Sequence, residues 1–266
     1  MTEVVTPRRA STVLVVRDSR PSTEATARRS PVEVFMLRRV ATMAFAPRMM
    51  VFPGGGVDAR DADVELPWAG PSPQQWAREL DTDEASAREL VVAAVREVFE
   101  ECGVLLAGPN ADTVISDVTG REWHGEREGL LAREQSFAQL LIRRGLVLRS
   151  DLLRPHAHWI TPEFEPRRYD THFFVALLPE GQVADDLSTE ADHAAWTDPR
   201  TLLDQQAAGE ALMLPPTIVA VEQVAAASSA AAFLAQRPRV EPIMPELART
   251  DAGIMLRCAL PPQDQP

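Results

Sequence analysis

Arg96-Glu97-Val98-Phe99-Glu100-Glu101-Cys102-Gly103-Val104 is the stretch whose reading decides the fold. Glu97 and Glu101 stand one helical turn apart and Glu100 follows Glu97 by three, so three carboxylates share one helix face. Like charges this close repel, and the arrangement is costly unless a cation, Arg96 or solvent offsets it. A hard divalent ion, Mg²⁺ or Mn²⁺, is the natural counterpart because it prefers oxygen ligands. The plain alternative is a solvated acidic face. Upstream, Leu90, Val91, Ala94, Val95 and Val98 recur on one side, Asp81 and Glu84 have capping-box spacing, and Gly103 supplies the stop, which together predict a helix up to Gly103.

Working outward, Ser11 to Arg17 and Val32 to Leu37 are apolar or β-branched runs that read as two strands. Met50-Val51-Phe52 then breaks at Pro53-Gly54-Gly55-Gly56, where consecutive glycines let the backbone come close to a ligand. A strand ending in this turn and returning to the carboxylate helix can set backbone N–H groups and a metal around one diphosphate. Residues 59–83 hold three Pro, two Trp and several acids and read as an irregular insertion. Beyond the helix, the pattern predicts a second helix from Glu128 to Arg144, strands through Ala157 to Ile160 and Thr171 to Leu178, and helices from Pro199 to Ala207 and Pro216 to Ala235. A final strand is expected from Ile254 to Leu260. Strands interspersed with helices, without regular alternation, indicate an α/β or α+β sandwich and not a doubly wound sheet. The 266 residues are read as a single domain, with 199–266 as a C-terminal helical extension.

Composition narrows the function. The formal charge is −12, and all 27 basic residues are Arg. Such acidity argues against nonspecific binding to nucleic acid or to an anionic membrane, while leaving room for a local Arg patch that holds phosphate. Cys102 and Cys258 suggest no disulfide framework. Met1 to Ala10 lacks the apolar core of a signal peptide and no run is long enough to span a bilayer, so a cytoplasmic location is the expectation. No lysine P-loop can exist without Lys, and no G-x-S-x-G is present.

The Arg96 to Val104 run resembles the second half of the Nudix box, R-E-apolar-x-E-E-x-G-apolar, at every fixed position, and Phe52 to Gly55 resembles that family's FPGG turn. The resemblance implies the Nudix α/β/α sandwich with a mixed sheet, with Glu97, Glu100 and Glu101 as metal ligands and, together with Arg96, as catalytic residues. It also implies that Gly54, Gly55 and Gly56 lie against substrate. The box is split by the insertion. An uninterrupted box would put its first glutamate at position 88, which is Arg88. Asp58 and Asp61 fall at acidic positions counted forward from Gly55, whereas Glu89, nearly in line with Arg96 and Glu100 at about 100° per residue, is the substitute the helix favours.

This split arrangement is similar to the coenzyme A diphosphatases of the mammalian peroxisomal Nudix type. Trp159 to Pro162, Pro166 to Thr171, Phe173-Phe174 and Leu214 to Pro216 extend the likeness. Arg39 aligns with the first Arg of the bacterial coenzyme A signature, while Ala44 and Arg48 replace its later Arg and Gly. Arg167 and Arg168 are candidates for gripping a substrate phosphate, weighed evenly against exposed arginines of no specific role.

Other residues carry weaker readings. His156 and His158 alternate along a strand and could face one metal with His172, but no Cys or fixed-spacing fourth ligand accompanies them, and polar strand positions are the expectation. Trp68 and Trp76 are read as packing for the insertion, ahead of stacking on a base. Glu190, six residues before Trp196, resembles the acid-then-Trp element that follows the core in many Nudix proteins, and that resemblance makes it a candidate general base. The expected reaction is attack of metal-activated water on a diphosphate, with coenzyme A or an acyl derivative favoured as the small-molecule partner. ADP-ribose or another nucleoside diphosphate derivative is the alternative substrate, and a noncatalytic nucleotide-binding regulator is the alternative class. A homodimer is left open.

Overall fold

The computed structural model describes residues 4–20, 29–42, 46–185, 191–250 and 253–260. Its strands are β1 Arg8–Asp18, β2 Val32–Arg39, β3 Met50–Val51, β4 Gly54–Gly56, β5 Trp68–Ala69, β6 Ala107–Gly108 and β7 Val147–Arg149, followed by β8 Leu153–Ile160, β9 Tyr169–Leu177, β10 Ala191–Thr197, β11 Pro242–Ile243, β12 Glu246–Thr250 and β13 Gly253–Arg257. Its helices are α1 Pro73–Glu79, α2 Glu84–Cys102, α3 Arg121–Leu131, α4 Phe137–Arg144, α5 Pro199–Ala207, α6 Pro215–Ala226 and α7 Ala230–Ala235.

The main sheet is mixed and runs β10-β2-β1-β9-β8-β11, with β3 paired to β2 and β4 to β1. Strand β1 is parallel to β9 and antiparallel to β2, so the expected mixed sheet is present. Both sheet faces are covered, which explains why β2 reads as a nearly continuous apolar run. Val13, Val15, Phe35 and Leu37 face α2, while Leu14, Val16, Val34 and Met36 face α6 and α7. The period of two in a strand divides these side chains between two cores and makes the fold an α/β/α sandwich.

Helix α2 is buried from Leu90 to Cys102, unlike an ordinary amphipathic surface helix. Asp83, not Asp81, is its N-cap: the Asp83 carboxylate accepts from Ser86 N at 2.9 Å, and Asp81 sits in the preceding turn at φ +50°. At the other end Gly103 takes φ +69°, the left-handed C-cap that glycine adopts without strain.

Several boundaries differ from expectation for local reasons. The Glu128 to Arg144 helix is two helices, because Arg133 turns left-handed at φ +60° and Ser136 starts α4 with its own capping box to Gln139. The Pro216 to Ala235 helix likewise breaks at Ala227, and the Ser229 side chain caps α7. The C-terminal extension is not wholly helical: β11 adds to the main sheet beside β8, and β12 and β13 form a separate hairpin. The insertion is partly ordered, with a 3₁₀ turn at Ala59–Ala62, β5 and α1. Trp76 on α1 is 1% exposed and meets Phe174 edge-on at 5.9 Å, so it is a core residue, and Leu66 is buried as well.

Candidate active site

Asp61, Arg96, Glu97, Glu100 and Glu101 are all under 10% exposed, so their charges must be satisfied by one another. Arg96 is the hub. Its Nε and Nη2 donate to the two Asp61 oxygens at 2.9 Å each, its Nη1 donates to Glu97 at 2.8 Å and Glu100 at 3.1 Å, and Nη2 also reaches the Gly56 carbonyl at 3.0 Å. These contacts use every donor of the guanidinium. Burial works against its charge, yet Asp61, Glu97 and Glu100 hold its pKa above the ordinary value. With no donor left for substrate, Arg96 is a positioning residue that fixes the glutamates against the glycine turn.

The acid opposite Arg96 is Asp61, not Glu89. Glu89 is in line with Arg96 around the helix, but seven residues separate them by about 10 Å along the axis, beyond the reach of a side-chain pair. Glu89 instead pairs with Arg9 on β1 at 2.6 Å. Asp61 is fixed from a second side, since it accepts from Asp58 N at 2.8 Å in the capping box of the 3₁₀ turn. Asp58 in turn holds Arg60, whose hydrogen bond keeps the Asp58 carboxyl well below the usual range.

The glycine turn is shaped around the glutamates. Gly54 N donates to Glu101 Oε2 at 2.7 Å, which anchors that carboxylate and occupies one of the N–H groups expected to face phosphate. A Cβ at Gly54 would meet the backbone Ser11 O at 2.5 Å, so that position admits no side chain, and one at Gly55 would fall on the Glu97 carboxylate and push it aside. Gly56 has open space around it. Burial first, then the neighbouring Glu100 charge, raises Glu97 to about 7 against the pull of Arg96, and burial also raises Glu100. Carboxylates forced toward protonation in this way are a donor set suited to a hard cation. Glu97, Glu100 and Glu101 do not yet converge on one point. Among the described residues, the set whose ligand atoms all lie within 4.8 Å of one another is His158, Asp170 and His172.

The remaining candidates separate. Arg168 is 7% exposed and donates to Thr161 O at 2.9 Å and Val5 O at 2.8 Å, so it ties the β8–β9 connection to the N-terminal segment and has little left for substrate. Arg167 is exposed. Arg39, at the end of β2, keeps its Nε buried without a hydrogen-bond partner. Trp68 donates to Pro71 O at 2.7 Å and stacks under the Arg88 guanidinium at 5.3 Å, a role within the insertion. Ala44 and Glu190 lie outside the described residues. Sequence reasoning passed over Arg127, which is 4% exposed and donates from Nε to the Glu100 carbonyl at 2.7 Å and from Nη1 to Asp185 at 2.6 Å. No local pattern marks a lone Arg on α3 as a support of the α2 C-terminus.

A family model described as the NUDT19 Nudix domain matches residues 71–224. The chain is 24% identical over 220 residues to acyl-coenzyme A diphosphatase NUDT19 of Xenopus laevis, covering 70% of this chain and 58% of that protein. It is 27% identical over 259 residues to the Homo sapiens protein of that name, covering 82% and 68%. The chain thus spans 58% and 68% of the length of these two curated relatives. The crystal structure of a NUDIX hydrolase from Alicyclobacillus acidocaldarius superimposes with a TM-score of 0.71 at 27% identity, covering 88% of this chain and 98% of that one.

Proposed function

Because this chain belongs to the Nudix hydrolase family, matching the NUDT19 Nudix domain over residues 71–224, we propose that it hydrolyses the diphosphate of coenzyme A or acyl-coenzyme A to 3′,5′-ADP and an (acyl-)phosphopantetheine. The observation that carries the chemistry is the buried Glu97, Glu100 and Glu101 set, held by Arg96 against Gly54 to Gly56. The coenzyme A substrate rests on the likeness to relatives named acyl-coenzyme A diphosphatase.

Glu97, Glu100 and Glu101 would hold Mg²⁺ or Mn²⁺. When bound, such an ion acidifies water and neutralises charge on the diphosphate. The chain's own residues do the rest. Arg96 fixes the angle between Glu97 and Glu100, and Asp61 fixes Arg96. The Gly54 N–H orients Glu101, and Gly55 leaves room for Glu97 where any side chain would displace it. One carboxylate of the set takes the proton of the attacking water. Arg39, with an unpartnered buried Nε, and the exposed Arg167 are the cations proposed to meet substrate phosphate, while Arg168 acts through the backbone it pins.

The test incubates purified protein and Mg²⁺ or Mn²⁺ with coenzyme A, ADP-ribose or nucleoside triphosphates at equal concentration and identifies products by mass spectrometry. Coenzyme A is expected to be cleaved fastest, giving 3′,5′-ADP. AMP from ADP-ribose with coenzyme A left intact would overturn the substrate assignment.

A further inference from the structure

We propose that His158, Asp170 and His172 form a second cation site, separate from the glutamate cluster and selective for a borderline transition metal such as Zn²⁺. The sheet builds it. Antiparallel pairing of β8 with β9 sets His158 opposite His172 and Ile160 opposite Asp170, and the period of two puts Asp170 and His172 on one face. That face is the one covered by α2: Ser11, the β1 neighbour of His172, donates to the Leu90 carbonyl at 2.7 Å. The two imidazoles stack with centroids 3.9 Å apart, Asp170 is hydrogen-bonded to His158 Nε2, and one ligand atom from each residue lies within 4.8 Å of the other two.

His172 makes the cluster more than a polar patch. It is 4% exposed, both ring nitrogens are buried, and the Leu80 backbone is the hydrogen-bonding group beside the ring. Buried polar atoms in folded proteins are nearly always paired, and the Leu80 backbone can pair with only one of the two ring nitrogens, which leaves the other in need of a partner. A cation at the Asp170 side supplies that partner once the stacked rings turn to aim one nitrogen each at it. The protonation states suit this. Burial first, then the His158 charge, lowers His172 to about 4, so the ring is neutral and its lone pair available. Burial works to raise Asp170, but its hydrogen bond to His158 holds it below the usual carboxylate range, so it is ionised. Arg9, the cation that acts on Asp170, is itself ion-paired to Glu89 at 2.6 Å.

The donor types separate the two sites. Glu97, Glu100 and Glu101 offer only oxygen and suit Mg²⁺ or Mn²⁺, whereas two imidazoles and a carboxylate suit Zn²⁺ and leave one position for water. His156 takes no part. The irregularity of β8 between Pro155 and Ala157 turns it to the opposite face, where it lies 5.4 Å from Phe233.

The experiment titrates Zn²⁺ into metal-free full-length protein in excess Mg²⁺, followed by calorimetry, with Co²⁺ as a spectroscopic probe. One equivalent of Zn²⁺ is expected to bind, with a Co²⁺ visible spectrum of a nitrogen-containing, low-coordinate site. His158→Gln and Asp170→Asn, both at incompletely buried positions, should each weaken Zn²⁺ binding by at least about 10- to 100-fold. The double variant Glu97→Gln/Glu101→Gln should keep the Zn²⁺ equivalent. On the unmodified protein, Zn²⁺ should shift the imidazole NMR signals of His158 and His172 and leave those of His156 in place, which tests the site even where a variant folds poorly. Absence of a Zn²⁺ equivalent in excess Mg²⁺, its loss only in the double glutamate variant, or unshifted His158 and His172 signals would each overturn the proposal.

Discussion

Asp61→Asn tests the central electrostatic argument, because Asp61 is the acid that fixes Arg96 and it comes from outside the helix. The substitution keeps the shape and removes the charge. Asp61 accepts two charge-assisted hydrogen bonds from Arg96, both at 2.9 Å, with side-chain exposures of 8% and 1% for the pair. An Asn has one acceptor oxygen, so one Arg96 donor or the Asp58 N–H loses its partner and an NH₂ group is turned toward a cation. Removing one member of a buried ion pair costs about 3 to 5 kcal/mol. Arg96 retains Glu97, Glu100 and the Gly56 carbonyl, which points to the lower end, about 3 kcal/mol. For a domain of this size that lowers Tm by roughly 6 to 12 °C. Glu89→Gln is the control, since Glu89 pairs with an Arg9 that is 41% exposed and such a pair contributes at most about 1 kcal/mol. Calorimetric melting of the metal-free proteins, with urea denaturation as a check, reads both. A loss for Asp61→Asn no larger than that for Glu89→Gln would refute the assignment of Asp61 as the partner that holds Arg96.

Glu101→Gln should lose activity on the order of 10³-fold while Tm in the absence of metal changes by no more than about 2 °C, because the Gln oxygen still accepts from Gly54 N but no longer carries the charge that makes a good ligand. Full metal-dependent turnover by this variant, measured with coenzyme A and with ADP-ribose, would show that the carboxylate is not needed. The pH dependence of stability follows from Glu97, raised from 4.5 to about 7. The folded state binds this proton more tightly than the unfolded state, so its contribution is full below 4.5 and is lost as pH rises through 7. Buried His156 and His172, both lowered to about 4, act oppositely and make stability rise with pH as it climbs from 4. The difference in Tm between wild type and Glu97→Gln cancels the histidines. Without metal that difference should move against the wild type between about pH 5 and 7, and Mg²⁺ should restore it increasingly over the same window. A pH-independent difference would contradict the raised Glu97 pKa.

Much of the candidate site was legible because its proposed ligands are local. Glu97, Glu100 and Glu101 lie within five residues on one helix, where a turn of 3.6 residues fixes which side chains are neighbours. The glycine turn was legible for a related reason, since a Cβ at Gly54 would strike backbone and one at Gly55 would displace the Glu97 carboxylate. The sequence alone also implied strands β1, β2, β8 and β9 and the end of α2 at Gly103, because apolar and β-branched runs and a left-handed glycine cap are written in consecutive residues.

The tertiary structure decided what depends on contacts between distant segments. Helical angle alone favoured Glu89 as the partner of Arg96, but angle says nothing of axial distance, and the pairing was settled by a 3₁₀ turn that brings Asp61 across 35 residues. Arg168 was read as a candidate exposed loop residue, yet Thr161 holds it across the β8–β9 connection and Val5 meets it once the first strand lies beside the ninth. The histidines show the same division: alternation grouped His156 with His158, whereas an irregularity in β8 and the register with β9 separated them and joined His158 to Asp170 and His172. Local periodicity fixes which face a side chain takes. Which charge it then meets depends on strand register and on loops that close over tens of residues, and those are properties of the folded chain.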